Sequence, residues 1–297
     1  EEIVEEEVEV DDDNNEDTSI SGASVIAGIG FISGVRSMVF VDDSGINAGA
    51  LTAKSIDKAL GCLDISLKQK LPFIHLVESA GINLMNYTVE FWSNTGGMFY
   101  GLAKLSAAGI PTIAVLHGLS TAGGAYQPGM SDYVVGVKKN GMAALAGPAL
   151  LKAATGQIAD KDELGGSEMH ARITGLVEYL AEDDDHAIKI TREVIDKIDW
   201  NSSLKNRENI LFDNPVYDAS ELIGVVSADY KIPYDVREVV ARLVDGSDFI
   251  DFKSLYGVST VCIQTKIYGH PCGLIGNNGP IDPNGATKAA QFIQLCD

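Results

Sequence analysis

Basic residues are scarce in this chain. No lysine or arginine precedes Arg36, and the whole sequence has 22 of them against 42 acidic residues, a net charge of −20. That excess disfavours electrostatic capture of nucleic acid or of an anionic membrane, so any phosphate ligand has to be held locally. Cysteine is also sparse. Cys62, Cys262, Cys272 and Cys296 form no Cys-x-x-Cys pair and no Cys/His cluster, which argues against a zinc ribbon, a metal site or a dense disulfide framework and fits a reducing compartment. Long apolar runs are missing too. The longest early one, ASVIAGIGFISGV, is shorter than the roughly 18 residues of a membrane span, and no basic N-terminal region with an apolar core is present. These absences predict a soluble, unsecreted protein. With only 9 prolines and 45% hydrophobic residues, the 297 residues hold enough apolar material for more than one core, at roughly 100–200 residues per domain.

The acid excess is uneven. EEIVEEEVEVDDDNNED at the start carries eleven carboxylates, a self-repelling run expected to be a solvated tail over 1–20, with Ile3, Val4, Val8 and Val10 leaving room for a short edge strand. From residue 24, apolar strands alternate with helical segments: SVIAGIGFI, SMVFVDD, the helix LTAKSIDKALGCLDISLKQK, FIHLVES, the helix GGMFYGLAKLSAAG, then PTIAVLHG. Strands buried on both faces read this way, and the alternation predicts an α/β layered fold over 21–198. Further helices are predicted at GPALLKAATG and DDDHAIKITREVIDKIDW. The texture turns polar and proline-punctuated between 199 and 234, a predicted linker, before a second ordered segment over 235–297.

That second segment echoes the first. FISGVRSMVFVDDSGINAGALTAKSIDKALGCLD, from Phe31, aligns with KIYGHPCGLIGNNGPIDPNGATKAAQFIQLCD, from Lys266: a glycine turn between two strands, a D-D or N-N pair, a glycine-rich loop, then a helix carrying Lys54 or Lys288. The first copy continues for more than a hundred residues past its helix, whereas the second reaches Asp297. The reading is a duplication whose second copy is incomplete, so that the sequence is a fragment or its missing half comes from another chain.

Candidate chemistry centres on STAGGAY, where a strand ending in HGLS meets a helix. Backbone N–H groups at a helix start stabilise anions and developing oxyanions, and Gly123 and Gly124 have no Cβ to block an approaching carbonyl. Two adjacent glycines also serve backbone packing, and the turn alone does not separate the two readings. HLVESAGINLM places residues 79–82 at the carboxyl edge of the sheet, where crevices of α/β folds gather. Lys152 and Arg172 are candidates for phosphate contact or for ordinary surface pairing. His117 reads as a packed histidine ahead of a general base, His170 has no catalytic partner at readable spacing, and the acidic run 182–185 reads as a helix N-terminus.

The ordered series HLVESAGINLM, TAGGAY, QPGMSDYVVGV, AGPALLKAATGQ, DELGGSEMHARITGLVEYLAEDDDHAI, IPYDVREVVARLVDGSDFIDFKSLYG and HPCGLIGNNG resembles the carboxyltransferase (β) subunits of biotin-dependent acyl-CoA carboxylases, such as methylcrotonyl-CoA and propionyl-CoA carboxylase, from about residue 24 to the last residue. TAGGAY with QP and SDY looks more like the methylcrotonyl-type and broad-specificity branches. The resemblance implies a duplicated crotonase-like (ClpP/crotonase) ββα-superhelix. It also implies a homo-oligomer with the active site at a subunit interface, acyl-CoA on the N-terminal domain and carboxybiotin on the C-terminal domain of a neighbour. The implied location is cytoplasmic, or the mitochondrial matrix in a eukaryote.

The implied activity is transfer of a carboxyl group from carboxybiotin to the enolate of an acyl-CoA, which requires two stabilised oxyanions, each donor contributing roughly 3–4 kcal/mol. By the same resemblance Gly123 and Gly124 hold the thioester enolate oxygen, with Gly81 and Ile82 as further amide donors, and Ala80, Ala122, Ala125 and Lys152 line the coenzyme A thioester. Where the family loop commonly reads Ser-Gly-Gly-Ala, this chain has Ser79-Ala80-Gly81-Ile82, and the bulk of Ile82 narrows the pocket. No glycine-rich ATP motif and no Met-Lys-Met attachment site is present, so a biotin carboxylase and biotin carrier are expected as a separate partner. The alternatives are the carboxyltransferase subunit of a biotin-dependent decarboxylase, or a catalytically incomplete CoA-binding scaffold. Gly124→Val is expected to abolish turnover and leave folding nearly intact.

Overall fold

The computed structural model describes residues 6–10, 17–21, 23–82, 88–200, 210–229 and 231–297. Where a solvated tail with room for a short edge strand was expected, β1 (Glu6–Val10) takes up Val8 and Val10 and pairs antiparallel with β2 (Asp17–Ser21), Glu6 opposite Ser21. Alternation of Val8 and Val10 with glutamates is a strand pattern; the rest of 1–20 lies outside the described residues. The chain divides into two compact units, 1–170 with 180–191, and 171–179 with 192–297.

In the first unit, β3 (Val25–Ile32) and β4 (Val35–Asp42) form an antiparallel hairpin. Its two-residue turn, Ser33 and Gly34, has φ of 47° and 77°, the left-handed pair that matches strand twist. Helix α1 (Ala53–Gln69) starts on a reciprocal Thr52–Ser55 capping box and stops at Lys70 in the left-handed region. Then follow β5 (Phe73–Val77), α2 (Val89–Ala107), β6 (Thr112–Leu116), β7 (Leu119–Thr121), α3 (Gly123–Met130), β8 (Tyr133–Val137) and β9 (Met142–Ala144). After them come α4 (Pro148–Thr155), α5 (Lys161–Gly165) and α6 (Ser167–Met169), while β10 (Tyr179–Ala181) and α7 (Asp184–Ile198) lie across the boundaries of the division, at residues 179/180 and 191/192. Helix α2 begins seven residues before the predicted GGMFYG start, because Thr88 caps it by accepting from Phe91 N–H.

The main sheet has the order β10-β8-β6-β5-β4-β3. Pairings β4–β5, β5–β6 and β6–β8 are parallel, and every residue of β6 and β8 is buried, as strands covered on both faces must be. Helices α1 and α2 approach closely because Gly97 and Gly101 face Leu60 and Leu63. The short β7 and β9 pair parallel as a separate ribbon. Pro148 opens α4 and Gly156, at φ 76°, closes it, as GPALLKAATG predicted.

The second unit contains α8 (Leu222–Val225), α9 (Val236–Val240), the antiparallel sheet β11 (Phe249–Phe252), β12 (Thr260–Ile267), β13 (His270–Asn277), and α10 (Pro283–Cys296). One face of that sheet packs Val240, Val244, Val261 and Ile263 with Leu274 and Val236. On the other, the rings of Phe252 and Phe292 pack at a tilt with centroids 5.3 Å apart. Within the predicted linker, 201–209 and Tyr230 lie outside the described residues; Glu221 of that stretch is held by Arg242 at 2.8 Å.

The internal echo is visible as structure, with one correction. The β12–β13 turn is again two residues at positive φ, Tyr268 at 51° and Gly269 at 74°, and α10 again starts on a side-chain cap, Asp282 accepting from Gly285 N–H at 2.7 Å. The matching lysines, however, are Lys58 and Lys288, each the sixth residue after its cap (58 − 52 and 288 − 282). Both are buried and donate to main-chain carbonyls: Lys58 Nζ to Val25 O at 3.0 Å, Lys288 Nζ to Lys253 O at 2.9 Å and Tyr256 O at 3.1 Å. Lys54 is only half-buried. The gap between copies is therefore larger than the linear alignment suggested: Gly34 to Thr52 spans 18 positions and Gly269 to Asp282 spans 13.

Candidate active site

Strands β5 and β6 run parallel and end together, Val77 opposite Leu116. Beyond β5 the chain turns through residues 78–82; beyond β6 it passes His117 and Gly118 into β7 and then α3. Carboxyl ends of neighbouring parallel strands thus bring the two sequence-predicted segments into contact, as the crevice rule for α/β sheets requires.

Three stretches of backbone meet there. Thr121 N–H donates to Ser79 O at 2.9 Å and Thr121 Oγ1 donates to Ala80 O at 3.2 Å. On the other side Ala80 N–H donates to Ala48 O at 3.1 Å and Leu51 N–H to Gly81 O at 2.8 Å. The loop 79–82 is therefore clasped between residues 48–51 and 121–124. Glycine is required at each closure. A Cβ on Gly49 would lie 2.2 Å from Glu78 O, one on Gly81 2.8 Å from Thr121 O, and one on Gly124 2.6 Å from Ser79 O. Gly49 and Gly81 also sit at φ 66° and 81°, a region that side chains disfavour.

At the head of α3, Ala122 has φ 49° and ψ −118°, a strained conformation for a residue with a Cβ. Its N–H donates to Ala144 O at 3.1 Å, so β9 holds the turn from behind. The N–H groups of Gly123 and Gly124 have no acceptor among the described residues, as expected of the first helical positions. Gly123 is half-buried and Gly124 buried. A Cβ on Gly123 would make only ordinary contact, 3.9 Å from Ile82 Cγ1 and 4.0 Å from Leu51 Cδ1; these two side chains wall the amide pair. Two adjacent uncommitted N–H donors at a helix start can polarise a carbonyl and hold a developing oxyanion.

The structure separates the other predicted site residues. Gly81 N–H donates to Ser79 Oγ at 3.2 Å, and a Cβ on Gly81 would lie 3.2 Å from Gly123 N. Ile82 N–H has no acceptor among the described residues and remains available. Ala80 and Ala122 are exposed and Ala125 half-buried around the turn, while Lys152 is exposed on α4. Arg172 falls in the second unit. His117 Nε2 is buried with no hydrogen-bond partner among the described residues, and His170 Nε2 donates to Ala143 O at 2.8 Å. In the acidic run, Asp183 caps α7 by accepting from His186 N–H at 2.8 Å. The expectation for Gly124→Val fails on folding, because its side chain would meet the Ser79 backbone. Sequence reasoning placed Ser79 at the sheet edge without giving it a role and missed Gly49 and Leu51; the positive-φ stretch Asn47, Ala48, Gly49 was legible only as a glycine-containing loop.

No group of three metal-ligating side chains occurs among the described residues, and no helix there is long and apolar enough to cross a membrane. A parallel sheet carrying an amide-lined turn at its carboxyl edge makes the first unit an α/β layered structure. The carboxyl transferase domain family matches residues 3–297, and the chain belongs to that family. It is 45% identical over 277 residues to a probable biotin-dependent acyl-coenzyme A carboxylase beta2 subunit of Mycobacterium tuberculosis, covering 93% of this chain and 52% of the relative. Similarity to a probable mitochondrial methylcrotonoyl-CoA carboxylase beta chain of Drosophila melanogaster is 38%, over 93% and 51%. Among solved structures, the beta subunit of Pseudomonas aeruginosa geranyl-CoA carboxylase is 49% identical with a TM-score of 0.58, over 93% and 52%. A hexameric transcarboxylase 12S is 30% identical with a TM-score of 0.80, over 92% and 53%. The chain spans about half the length of these relatives.

Proposed function

We propose that this chain provides the acyl-CoA half of a biotin-dependent carboxyltransferase, in a crotonase-like fold of two copies, with the first domain over 21–198, a linker over 199–234 and the second domain from 235. The observation that carries the reading is the pair of uncommitted N–H groups of Gly123 and Gly124, kept uncovered by Gly81, in a chain of the carboxyl transferase family. The thioester carbonyl oxygen sits against these amides. Negative charge that builds on it when the α-carbon proton leaves is stabilised by two N–H dipoles and by the positive end of α3. Ile82 and Leu51 keep water away from that oxygen, which strengthens the interaction. Ala80, Ala122, Ala125 and Lys152 flank the thioester and its carrier.

Carboxybiotin, carried by a partner biotin carboxylase and carrier subunit, supplies the carboxyl group and the base at a neighbouring subunit of a homo-oligomer. No described side chain here has to act as the base. The substrate class is a branched acyl-CoA with a methyl-substituted double bond. Relatives named for methylcrotonoyl-CoA and geranyl-CoA are 38% to 49% identical, whereas the propionyl-CoA carboxylase beta chain of Saccharopolyspora erythraea is 28%. The test is to combine the protein with a biotin-carrying partner and follow acyl-CoA-dependent loss of carboxyl from carboxybiotin, with methylcrotonyl-, geranyl- and propionyl-CoA compared. Turnover with the first two at higher kcat/KM supports the proposal; acyl-CoA binding without turnover for any of them overturns it.

A further inference from the structure

We propose that Ser79 is a positioning residue whose hydroxyl sets the distance between the Gly123–Gly124 amides and the rest of the site. This rests on the reading of those amides as oxyanion donors. Ser79 is 1% exposed, and its hydroxyl is used in both senses. The O–H donates to Gly49 O at 2.7 Å, and the oxygen accepts Gly81 N–H at 3.2 Å. A hydroxyl has one proton to give, so the single partner accepting from it is fixed and the lone-pair side is left for Gly81.

The same residue touches the third segment through its other atoms. Its carbonyl accepts Thr121 N–H at 2.9 Å, and its O and Cβ occupy the space 2.6 Å and 3.0 Å from where a Gly124 side chain would begin. Among the described residues, Ser79 is thus the one bonded to residues 48–51 through its side chain and to residues 121–124 through its backbone. The Oγ bond to Gly81 holds that glycine with its bare Cα toward Gly123 N, so rotation of the 79–81 peptides would cover the amide. Loss of the hydroxyl should therefore misplace donors without removing them. That predicts a fall in kcat with substrate affinity largely kept, since only interactions stronger in the transition state raise the turnover rate.

The experiment uses the full chain with its biotin-carrying partner and compares Ser79→Ala and Ser79→Cys with wild type and with Gly123→Ala. Cysteine keeps the volume and weakens the hydrogen bonds, so it reports positioning even if alanine disturbs folding. Expected are a kcat at least tenfold lower for both Ser79 variants, a KM for acyl-CoA within about threefold of wild type, and a tenfold or larger loss of affinity for a nitronate analogue of the enolate. A general structural defect would weaken substrate and analogue alike. A kcat within twofold of wild type in Ser79→Cys, or a loss carried wholly by KM, overturns the role of Ser79 while Gly123→Ala still reports on the amides. Absence of acyl-CoA turnover in wild type, or wild-type turnover in Gly123→Ala, overturns the underlying reading and this inference with it.

Discussion

Gly123 and Gly124 look equivalent in the string TAGGAY and differ in three dimensions. Gly124 is pressed on the Ser79 backbone, whereas Gly123 has room for a methyl group. Gly123→Ala should therefore retain the wild-type melting temperature within a few degrees and lower turnover by about tenfold or more, because the methyl crowds the donor's surroundings. Gly124→Ala should lose stability by about 1–3 kcal/mol, as forced overpacking does, measurable as a lower urea midpoint irrespective of any assay. Ala122→Gly should relieve the strain of φ 49° and be neutral or stabilising in the same measurement. The turn itself was legible in the sequence because a strand, two glycines and a helix stand in a recognisable order. The division of labour was not, since packing of Gly124 depends on Ser79, some forty-five positions earlier in the chain. The hydrogen bond of Gly81 was hidden for a similar reason: its amide looks free until the neighbouring serine hydroxyl is placed.

At the scale of elements, helix and strand periods predicted the alternation from β3 to β6 and the position of α4. The start of α2 was obscured because WSNTGG breaks the apolar period while Thr88 still caps the helix. The repeat was legible as a hairpin and a helix, but linear alignment paired the wrong lysine, since a buried lysine is recognised by the carbonyls it reaches. Replacing Lys288 by methionine keeps the packing volume and leaves the Lys253 and Tyr256 carbonyls without that donor. The expected cost is about 1–3 kcal/mol for each buried group left unsatisfied, read by chemical denaturation. Helix α10 also carries a pH signature. Acceptance from Gly285 N–H, then from the Ser259 hydroxyl, holds Asp282 below the usual carboxylate range. Its contribution is present above the unfolded value near 3.9 and is lost as pH falls through the lower folded one. In Asp282→Asn that stretch of acid sensitivity should disappear from denaturation curves taken between pH 5 and 2.

For the whole molecule, composition spoke to charge and thiol chemistry better than to shape. Cys62 and Cys262 are fully buried and Cys296 is exposed, and burial pushes the Cys262 thiol up to about 11. Labelling of the native protein near pH 8 should modify Cys296, whose thiol is also held above its usual value by burial, ahead of Cys62 and Cys262, which are spared until denaturant is added; early labelling of Cys262 would contradict the packing of β12. The acidic start was misjudged in part, because self-repulsion was weighed above the alternating valines of β1.

The interlocked loops also constrain how the protein can change by descent. Gly49, Gly81 and Gly124 each fill a space closed by another segment's main chain, so a substitution at one displaces the surface against which the next is judged. Their costs should not add: once the clasp is opened by Gly49→Ala, Gly124→Ala should cost less than it does alone. Epistasis of that sign would make the three glycines a single heritable character, kept or lost together, even though they stand seventy-five positions apart from first to last.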